Sequence, residues 1–257
     1  KFKEKIANYL VGRGFTEILT NSITNSAYFS EETLATAVKM LNNLTAELDV
    51  MRPSMLETGL ETIAYNLNRQ NNSISFFEIG KVYGKSNAGK YYESEQLAIF
   101  LSGKQSVDGW RTKGVDQDYF VAKGTAIALL ELLGITGVQE KTASYGMTEL
   151  VWNKKTIGHV EVMGTKKLQA FGIKQGVQYI QFDVAGILNA YQSKKVVYKE
   201  VSKYPSIERD LALVIDKATP FALIESSIAE AKVEALYSTR VFDIFESDKL
   251  GEGKKSV

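Results

Sequence analysis

The chain has no cysteine, a single histidine and only three prolines among its 257 residues. The lack of cysteine excludes disulfides and thiolate metal ligands, and one histidine argues against a histidine metal site or a Ser–His catalytic system. Long apolar runs are also missing, because no stretch approaches the ~18 residues that a membrane-spanning helix requires. No secretory signal opens the sequence, since residues 1–10 have the pattern of an amphipathic helix. These properties favour a cytoplasmic protein that does not enter a membrane.

A strong net charge is absent as well, because 31 Lys and Arg residues offset 30 Asp and Glu residues and leave a formal charge of +1. The chain therefore has no global positive field that would indicate nucleic acid binding. The hydrophobic content of 44% is ordinary for a globular protein, and 257 residues suffice for one large domain or two smaller ones. The chain does not begin with Met, and it stops just after a Gly-Glu-Gly-Lys-Lys turn. We therefore expect it to be a piece of a longer polypeptide.

The first 24 residues predict a helix followed directly by a strand. A helix over residues 1–11 carries its apolar side chains on one stripe, and these are Phe2, Ile6, Tyr9 and Leu10. Glycines at 12 and 14 end it. The run 15–24 then alternates in strand fashion, with Phe15, Ile18 and Ile23 as apolar anchors.

The middle of the chain predicts a strand-rich region with helices on its faces. Pro53 suits the first turn of a helix, which continues through residue 69. A strand over 74–83, a polar loop over 85–94 and a strand over 96–101 follow. Further on, the pattern predicts a helix over 119–133, a hairpin over 149–163 that turns at 153–155, a helix over 165–171 and a strand over 177–184. Most of these strands are expected to be antiparallel, which is an α+β arrangement.

The last sixty residues predict a second, smaller unit. A polar, Lys-rich joint places the domain boundary near Lys199. After it we expect a strand over 209–216, a helix capped by Thr219 that runs from Pro220 to about residue 232, a strand over 237–245 and a turn over 248–255. This order is the first half of a ferredoxin-like βαββαβ unit. The predicted domains are therefore a core over 1–195, a linker over 196–203 and a truncated domain over 204–257.

Two sequence blocks resemble a known family. They are MRPSMLETGLETIAYNLNRQNNSISFFEIGKVY, residues 51–83, and YPSIERDLALVI, residues 204–215. Together they resemble the C-terminal half of the phenylalanyl-tRNA synthetase beta subunit, and the resemblance keeps its order over most of the chain. It implies a class II aminoacyl-tRNA synthetase-like antiparallel sheet flanked by helices, followed by a partial ferredoxin-like anticodon-binding domain. It also implies that the core domain does not catalyse.

We expect no catalysis because the chain lacks the arginines that a phosphate-binding active site would need. Class II synthetases activate an amino acid with ATP, and guanidinium groups neutralise the charge that develops on the phosphates. The resemblance implies that the catalytic alpha subunit carries an arginine directly after the corresponding Val-Tyr of its strand, where this chain has Gly84. The late strand and helix, 179–190, contain no arginine, and Arg111 is the only one between Arg69 and Arg209. The sequence therefore predicts no catalytic residue, no metal ligand and no bound cofactor on this chain.

The resemblance also implies partners. The holoenzyme is expected to be an α2β2 tetramer in which the alpha subunit carries the active site and uses ATP and Mg²⁺ to charge phenylalanine tRNA. The residues expected at the alpha-subunit interface are Phe2, Ile6, Tyr9, Leu10 and Ile18. The cations expected to contact tRNA are Arg209, Arg240, Lys249 and Lys254. A unit that ends after its second strand exposes an unpaired edge, so we expect residues 201–257 to pack weakly on themselves.

Two other functions remain open from the sequence, namely an active adenylating enzyme on the same fold and a free-standing RNA-binding or scaffold protein. His159 would suit a general base, but its place within an apolar strand favours a structural role. Lys123-Gly124 resembles part of a phosphate loop, yet it lacks the glycine pattern and the Ser or Thr of such a loop.

Overall fold

The structure is a computed structural model that describes residues 1–43, 45–86, 88–144, 146–193, 198, 200, 203–247 and 250–257. The chain divides into two compact units, residues 1–196 and residues 197–257. The predicted boundary at Lys199 and most of the predicted linker over 196–203 lie outside the described residues. The division into a core domain, a linker and an anticodon-binding domain stays a prediction.

The first unit is built on a large sheet with helices on both faces. Its helices are α1 (Phe2–Gly12), α2 (Glu31–Thr36), α3 (Leu56–Leu67), α4 (Tyr119–Leu132), α5 (Thr165–Ala170) and α6 (Val184–Gln192), with a 3₁₀ turn at Ser26–Tyr28. Its short strands are β1 (Thr16–Glu17), β2 (Ile23–Thr24), β3 (Val38–Lys39) and β4 (Val50–Met51). Its long strands are β5 (Ile74–Lys85), β6 (Tyr91–Ser102), β7 (Gln139–Ser144), β8 (Met147–Trp152), β9 (Lys155–Val162) and β10 (Val177–Asp183).

The strand order in the large sheet is β1-β5-β6-β10-β9-β8-β7 over the described residues. Strand β1 is parallel to β5, and the other neighbours are antiparallel. Strands β2, β4 and β3 form a separate small sheet. The long pairing of β5 with β6 runs from Ile74 opposite Ser102 to Lys85 opposite Tyr91. This is the longest pairing in the sheet, and the polar loop predicted between its strands is a short turn.

Each face of the sheet buries its own apolar cluster, because successive residues of a strand point to opposite faces. On one face Phe77, Ile99 and Ile180 pack with helices α1, α4 and α6. On the other face Phe100 and Tyr179 pack with helix α3 and with Leu168 of α5. A fully buried side chain of this size stabilises the fold by about 1.5–3 kcal/mol relative to an exposed one. Both clusters therefore hold the sheet rigidly in place.

Local sequence signals explain where several elements begin. The carboxylate of Asp118 accepts a hydrogen bond from the Val121 N–H at 2.9 Å and so caps helix α4. The hairpin between β8 and β9 turns at Asn153 and Lys154, whose φ angles are 48° and 65°. Two successive positive φ angles are those of a type I′ turn, which matches the twist of the flanking strands.

Most elements of this unit agree with those that the sequence predicts. The helices predicted over 1–11, 119–133 and 165–171 are confirmed as α1, α4 and α5. The strand-loop-strand over 74–101 and the hairpin turning at 153–155 are also confirmed. The single strand predicted over 15–24 is corrected, because only Thr16–Glu17 and Ile23–Thr24 are strands and they belong to different sheets. Strand β7 was missed, since its residues are exposed and show no apolar alternation.

The second unit contains less regular structure than the sequence predicts. Its described elements are β11 (Val214–Asp216), α7 (Phe221–Glu230) and β12 (Lys254–Ser256), with β11 and β12 antiparallel. The strand predicted over 209–216 is therefore only its last three residues, and β12 lies where a turn was predicted. The predicted strand over 237–245 is wrong, because those residues form only an isolated bridge from Phe245 to Ser256. Pro220 precedes the first helical turn of α7, and Thr219 provides no side-chain cap.

In the part of the chain that the structure describes, every helix is too short or too polar to cross a bilayer.

Candidate functional site

The face of the sheet under helix α3 contains a buried arginine that the sequence reading did not single out. Arg52, just after β4, places its Nη1 2.9 Å from Oε1 of Glu78 on β5, and their side chains are 3% and 2% exposed. The Arg52 Nε donates to the Lys81 carbonyl at 2.8 Å, and Nη1 also donates to the Thr20 hydroxyl at 2.7 Å. That hydroxyl donates in turn to Glu78 Oε2 at 2.7 Å. Every one of these contacts ties the guanidinium to this chain.

The backbone of β5 is shaped to admit this group. A Cβ atom at Gly80 would collide with the guanidinium of Arg52, so glycine lets the side chain lie against the strand. A buried ion pair is tolerated when hydrogen bonds also satisfy the polar groups around it, and here both Glu78 oxygens and the Nε and Nη1 of Arg52 are bonded. The positive charge of Arg52 is therefore neutralised inside the fold and does not face a ligand.

Gly84 lies at the position that corresponds to the arginine expected in the catalytic alpha subunit. It is opposite Tyr92 in the β5–β6 register, and the Tyr92 ring occupies the space that a side chain at this position would take. Arg111 lies in the exposed loop after β6, beside Trp110, which is 97% exposed. It makes no ion pair with any residue that the structure describes.

The start of helix α6 is occupied by a carboxylate of the chain itself. Asp183 accepts hydrogen bonds from the N–H groups of Ala185 at 3.2 Å and Gly186 at 3.1 Å. Free N–H groups at a helix N-terminus attract phosphate, whereas a carboxylate already bound there repels it. The start of α6 therefore has negative charge and no free N–H pair for a phosphate at these two positions.

His159 is largely buried in strand β9, which supports its structural role. Burial lowers the pKa of this histidine below 6.5, and the charge of Glu149 on β8 opposes that shift. Its ring meets Tyr179 edge-on with centroids 5.7 Å apart. The nearest carboxylate that could orient it is Glu161, with Oε2 4.0 Å from Nε2, which is beyond hydrogen-bond distance. This geometry is that of a packed side chain rather than a positioned base.

The phosphate-loop alternative for Lys123-Gly124 is wrong. Both residues lie inside helix α4, and the Lys123 ammonium pairs with Glu140 on β7 at 2.7 Å. A helix interior offers no free backbone N–H groups to cradle a phosphate.

The predicted interface residues lie around helix α1 and the segment after β1. Ile6 and Leu10 are fully buried in this chain's own core, where they hold helix α1 on the sheet. Phe2 and Tyr9 pack against the same cluster while partly exposed, and Ile18 packs against the cluster on the other face. Contact of this part of the chain with an alpha subunit stays a prediction.

The predicted tRNA-contacting cations lie in the second unit, and the structure brings two of them to one place. The Arg240 Nη2 is 4.0 Å from a carboxylate oxygen of Glu208, and the Arg209 guanidinium donates to the Glu208 carbonyl at 3.1 Å. Lys254 is exposed on β12, opposite Asp216 in the strand register. Lys249 lies outside the described residues. Contact of these cations with tRNA stays a prediction.

Arg52 and Glu78 are the residues that sequence reasoning missed. One signal could have found them, because Glu78 alternates with the apolar residues Phe76 and Val82 on one face of β5. A carboxylate on a buried strand face needs a buried cation or several donors.

Comparisons with known proteins agree with both units. The family model described as "Phenylalanyl tRNA synthetase beta chain CLM domain" matches residues 1–184, and the "Ferredoxin-fold anticodon binding domain" matches residues 202–257. The phenylalanine–tRNA ligase beta subunit of Bacteroides fragilis is 33% identical over 100% of this chain and 33% of its own length. That of Bacillus licheniformis is 32% identical over 99% of this chain and 33% of its own length. This chain thus spans about a third of the length of the curated relatives that it matches.

A solved structure also shares the fold. The pyrrolysyl-tRNA synthetase of Desulfitobacterium hafniense superposes with a TM-score of 0.58 at 19% identity, over 74% of this chain and 67% of that chain. This likeness supports an α+β, synthetase-like architecture for the sheet and its helices. With family models that together match most of the chain in the predicted order, the chain belongs to the phenylalanyl-tRNA synthetase beta chain family.

Proposed function

We propose that this chain is a non-catalytic part of the beta subunit of a phenylalanine–tRNA ligase. It packs on the catalytic alpha subunit and helps to bind tRNA while the alpha subunit charges it with phenylalanine. The complete enzyme is an α2β2 tetramer in the cytoplasm that uses ATP and Mg²⁺. The observation that carries the proposal is the match of both family models, in order, to the two units of this chain.

The positions and contacts of the arginines in the first unit support the non-catalytic role. The first unit contains Arg13, Arg52, Arg69 and Arg111. Arg52 is buried and paired with Glu78, while Arg13 and Arg69 lie at helix ends against Tyr9 and Tyr65. A class II active site needs two guanidinium forks aimed at one triphosphate, because lysines cannot bind phosphate bidentately. The class II-like sheet is kept here as an architecture for assembly.

The exposed chemistry of the second unit supports a role in tRNA binding. Arg209 and Arg240 are both exposed and both contact Glu208, and phosphates are the usual partners of exposed guanidinium groups. Tyr237 and Phe242 are 96% and 69% exposed, and unpaired bases stack on aromatic side chains of this kind. We infer that the anticodon stem-loop of phenylalanine tRNA is the RNA element bound.

The comparisons do not favour the two alternatives. An adenylating enzyme would need the phosphate-binding cations described above, and the matched relatives are named beta subunits rather than free-standing RNA-binding proteins.

Association with an alpha subunit tests the proposal directly. The chain and a bacterial phenylalanyl-tRNA synthetase alpha subunit are mixed at about 10 µM and separated by size exclusion with light scattering. We expect a complex that elutes ahead of either protein. Two exposed valines give a test variant and a matched control. Val11 lies on α1 and is 54% exposed, and the control Val107 lies in the loop after β6 and is 76% exposed.

The Val11→Asp substitution should weaken the complex at least tenfold, because a carboxylate in an apolar contact must lose its hydration. The Val107→Asp variant should associate normally. Separate elution of the unmodified chain and the alpha subunit would overturn the proposed assembly role.

A further inference from the structure

The loop between β6 and α4 projects from the first unit as a finger, residues 104–116. A bridge between Lys104 and Asp116 closes its base. All residues from 105 to 113 are exposed, and Trp110 at the tip is 97% exposed. The indole ring of Trp110 is therefore open to solvent on both of its faces.

A buried amide fixes the finger to the sheet. Gln117, which directly follows the finger, is 5% exposed. Its Nε2 donates to the carbonyl oxygens of Ile74 at 3.1 Å and Lys104 at 3.2 Å, and its Oε1 accepts from the Ser75 hydroxyl at 3.2 Å. The backbone N–H of Gln117 donates to the Gly103 carbonyl at 2.8 Å. These bonds hold both ends of the finger against strand β5.

The two arms of the finger are held against each other. The Gln105 N–H donates to the Val115 carbonyl at 2.7 Å, and the Asp108 carboxylate accepts from the Gly114 N–H at 2.8 Å. The arms lie so close that a Cβ atom at Gly114 would be 2.3 Å from the Ser106 carbonyl oxygen. The finger therefore has a defined shape before anything binds to it, and a preorganised loop loses little conformational entropy on binding.

The tip of the finger has positive charge that the chain does not neutralise. The Lys104 ammonium pairs with the Asp108 carboxylate, so these two charges cancel. Arg111 and Lys113 form no ion pair with any described residue. Trp110 likewise has no ring or cation–π contact within the described ranges of the chain. One open aromatic ring and two free cations thus lie within four consecutive residues.

Another exposed aromatic side chain of the first unit shows the contrast. Tyr65 on α3 is 58% exposed, but the Arg69 guanidinium lies 3.3 Å from the centre of its ring. A cation of the chain itself therefore covers one face of Tyr65. The ring of Trp110 is uncovered, and the cations beside it have no partner.

We propose that the finger binds an unpaired stretch of RNA, with one base stacked on Trp110 and the neighbouring phosphates at Arg111 and Lys113. Every base has a π face, and single strands are commonly bound by aromatic side chains that lie beside basic groups. The site lies in the first unit and is separate from the cations of the second unit. The proposal deepens the tRNA-binding role given above and rests on it for the source of the RNA.

A protein partner fits the tip less well. A stable protein interface takes ~800 Å² from each partner and has an apolar centre. The residues next to Trp110, from 108 to 113, are charged, polar or glycine. An acidic polypeptide would neutralise Arg111 and Lys113 but would leave the indole in water. Stacking on a base needs only one open ring face, and RNA supplies the phosphates as well.

The test follows the tryptophan fluorescence of the whole chain in buffer of low ionic strength. The chain has two tryptophans, Trp110 and Trp152, and both lie in the first unit. The probe is the single-stranded hexaribonucleotide ACACAC, and its control is an abasic hexamer with the same ribose–phosphate backbone. We expect saturable quenching by the probe and binding about tenfold weaker for the abasic hexamer, which keeps the phosphates but cannot stack. Trp110→Phe should remove the quenching, because only the partly buried Trp152 then emits.

Variants locate the contact. Their affinities are measured by polarisation of a labelled probe, in a chain that carries Arg209→Ala and Arg240→Ala to weaken the second unit. Trp110→Ala should weaken binding roughly fivefold or more, and Trp110→Phe should restore most of it, because a phenyl ring also stacks. Tyr65→Ala is the matched aromatic control and should bind normally.

The two cations are tested together in the same background. Arg111→Ala with Lys113→Ala should weaken the probe roughly fivefold or more and should reduce the salt dependence of binding, since fewer counterions are released. Lys174→Ala, an exposed lysine after α5, should leave both properties unchanged.

Equal affinity for the abasic hexamer, absence of quenching, or unchanged binding in Trp110→Ala would overturn the proposal. Loss of alpha-subunit association in Trp110→Ala, with RNA binding unchanged, would identify a protein-binding finger instead. The function proposed above fails by a different measurement, because separate elution of the chain and the alpha subunit does not alter the quenching of Trp110.

Discussion

The two units of this chain contain similar apolar residues, which are buried in the first unit and exposed in the second. The first unit buries two clusters on opposite faces of its sheet, with side chains such as Phe77 and Phe100 fully buried. In the second unit none of the described residues is buried, and Tyr237 is 96% exposed. The apolar content of a segment therefore does not decide whether it forms a core. A second layer of structure has to be present to cover it.

The size of the second unit explains the difference. Strands β11 and β12 have three residues each and pair with one another, with one further bridge from Ser256 of β12 to Phe245 in the described residues. A lone two-stranded pair is marginal in water, and a helix stabilises it only by packing against it. Helix α7 buries none of its residues. We infer that this unit reaches full stability only when a further surface, protein or RNA, covers its apolar residues.

Hydrogen exchange should show the largest difference between the units. Amides of β5, β6 and β10 should exchange at least ~10⁴-fold more slowly than in an unfolded chain, because they open only by global unfolding. Amides of β11, α7 and β12 should be protected less than ~10²-fold. Exchange of a dilute monomer, followed by mass spectrometry, measures both. Uniformly strong protection of residues 203–257 would mean that the second unit is as stable as the first.

The buried ion pair should account for a large part of the stability of the first unit. Arg52→Ala leaves the Glu78 carboxylate buried without a cation, so we expect the free energy of unfolding to fall by about 3–5 kcal/mol. Denaturant unfolding of the first unit, followed by circular dichroism, measures this loss. Exchange in the second unit should not change.

The double variant Arg52→Met with Glu78→Gln is the control for that substitution. It removes both charges together and should cost less than Arg52→Ala alone. A loss below about 1 kcal/mol in Arg52→Ala would mean that the pair is solvated and that its guanidinium is accessible.

A smaller effect concerns the pH dependence of the first unit. Burial lowers the pKa of His159 below its unfolded value of 6.5. Between the folded and unfolded pKa values the unfolded chain binds more protons, so His159 makes the protein less stable as pH falls through 6.5, and the loss levels off below the folded pKa. Burial raises the pKa of Glu161 above 4.5, which acts in the opposite direction.

Comparison with His159→Gln isolates the histidine, because Glu161 is present in both proteins. Between pH 7.5 and pH 5, the unmodified chain should lose more stability than the variant, and the difference should be smaller than the effect of Arg52→Ala. Thermal unfolding across this pH range measures it. Equal slopes for the two proteins would mean that His159 is solvated.

Local patterns predicted the elements that depend on local contacts. The strand-loop-strand over 74–101 and the turn at 153–155 follow from alternation and turn residues, and both were found. Strand β7 was missed because it is an exposed edge, where pairing with β8 replaces any apolar signal. The segment 237–245, predicted as a strand, contains β-branched and aromatic residues but pairs through one bridge only, and a strand forms only when a partner pairs with it.

The chemistry of the site was predictable only in part. The sequence alone shows that no arginine follows Val82-Tyr83. Only the structure shows that the Tyr92 ring fills the space beside Gly84. The pairing of Arg52 with Glu78 joins residues 26 apart, and no spacing rule encodes it. The burial of Ile6 and Leu10 was likewise missed, because an apolar helix stripe does not say whether it faces its own sheet or another subunit.

Nucleotide binding shows whether this sheet has a synthetase-like architecture without the cations that hold a triphosphate. The isolated chain is titrated with ATP and Mg²⁺ by calorimetry up to millimolar concentration, and crystals are soaked in the same nucleotide. We expect no saturable binding. A micromolar affinity that falls in Arg111→Ala, or a bound triphosphate whose phosphates are held by residues of this chain alone, would contradict it.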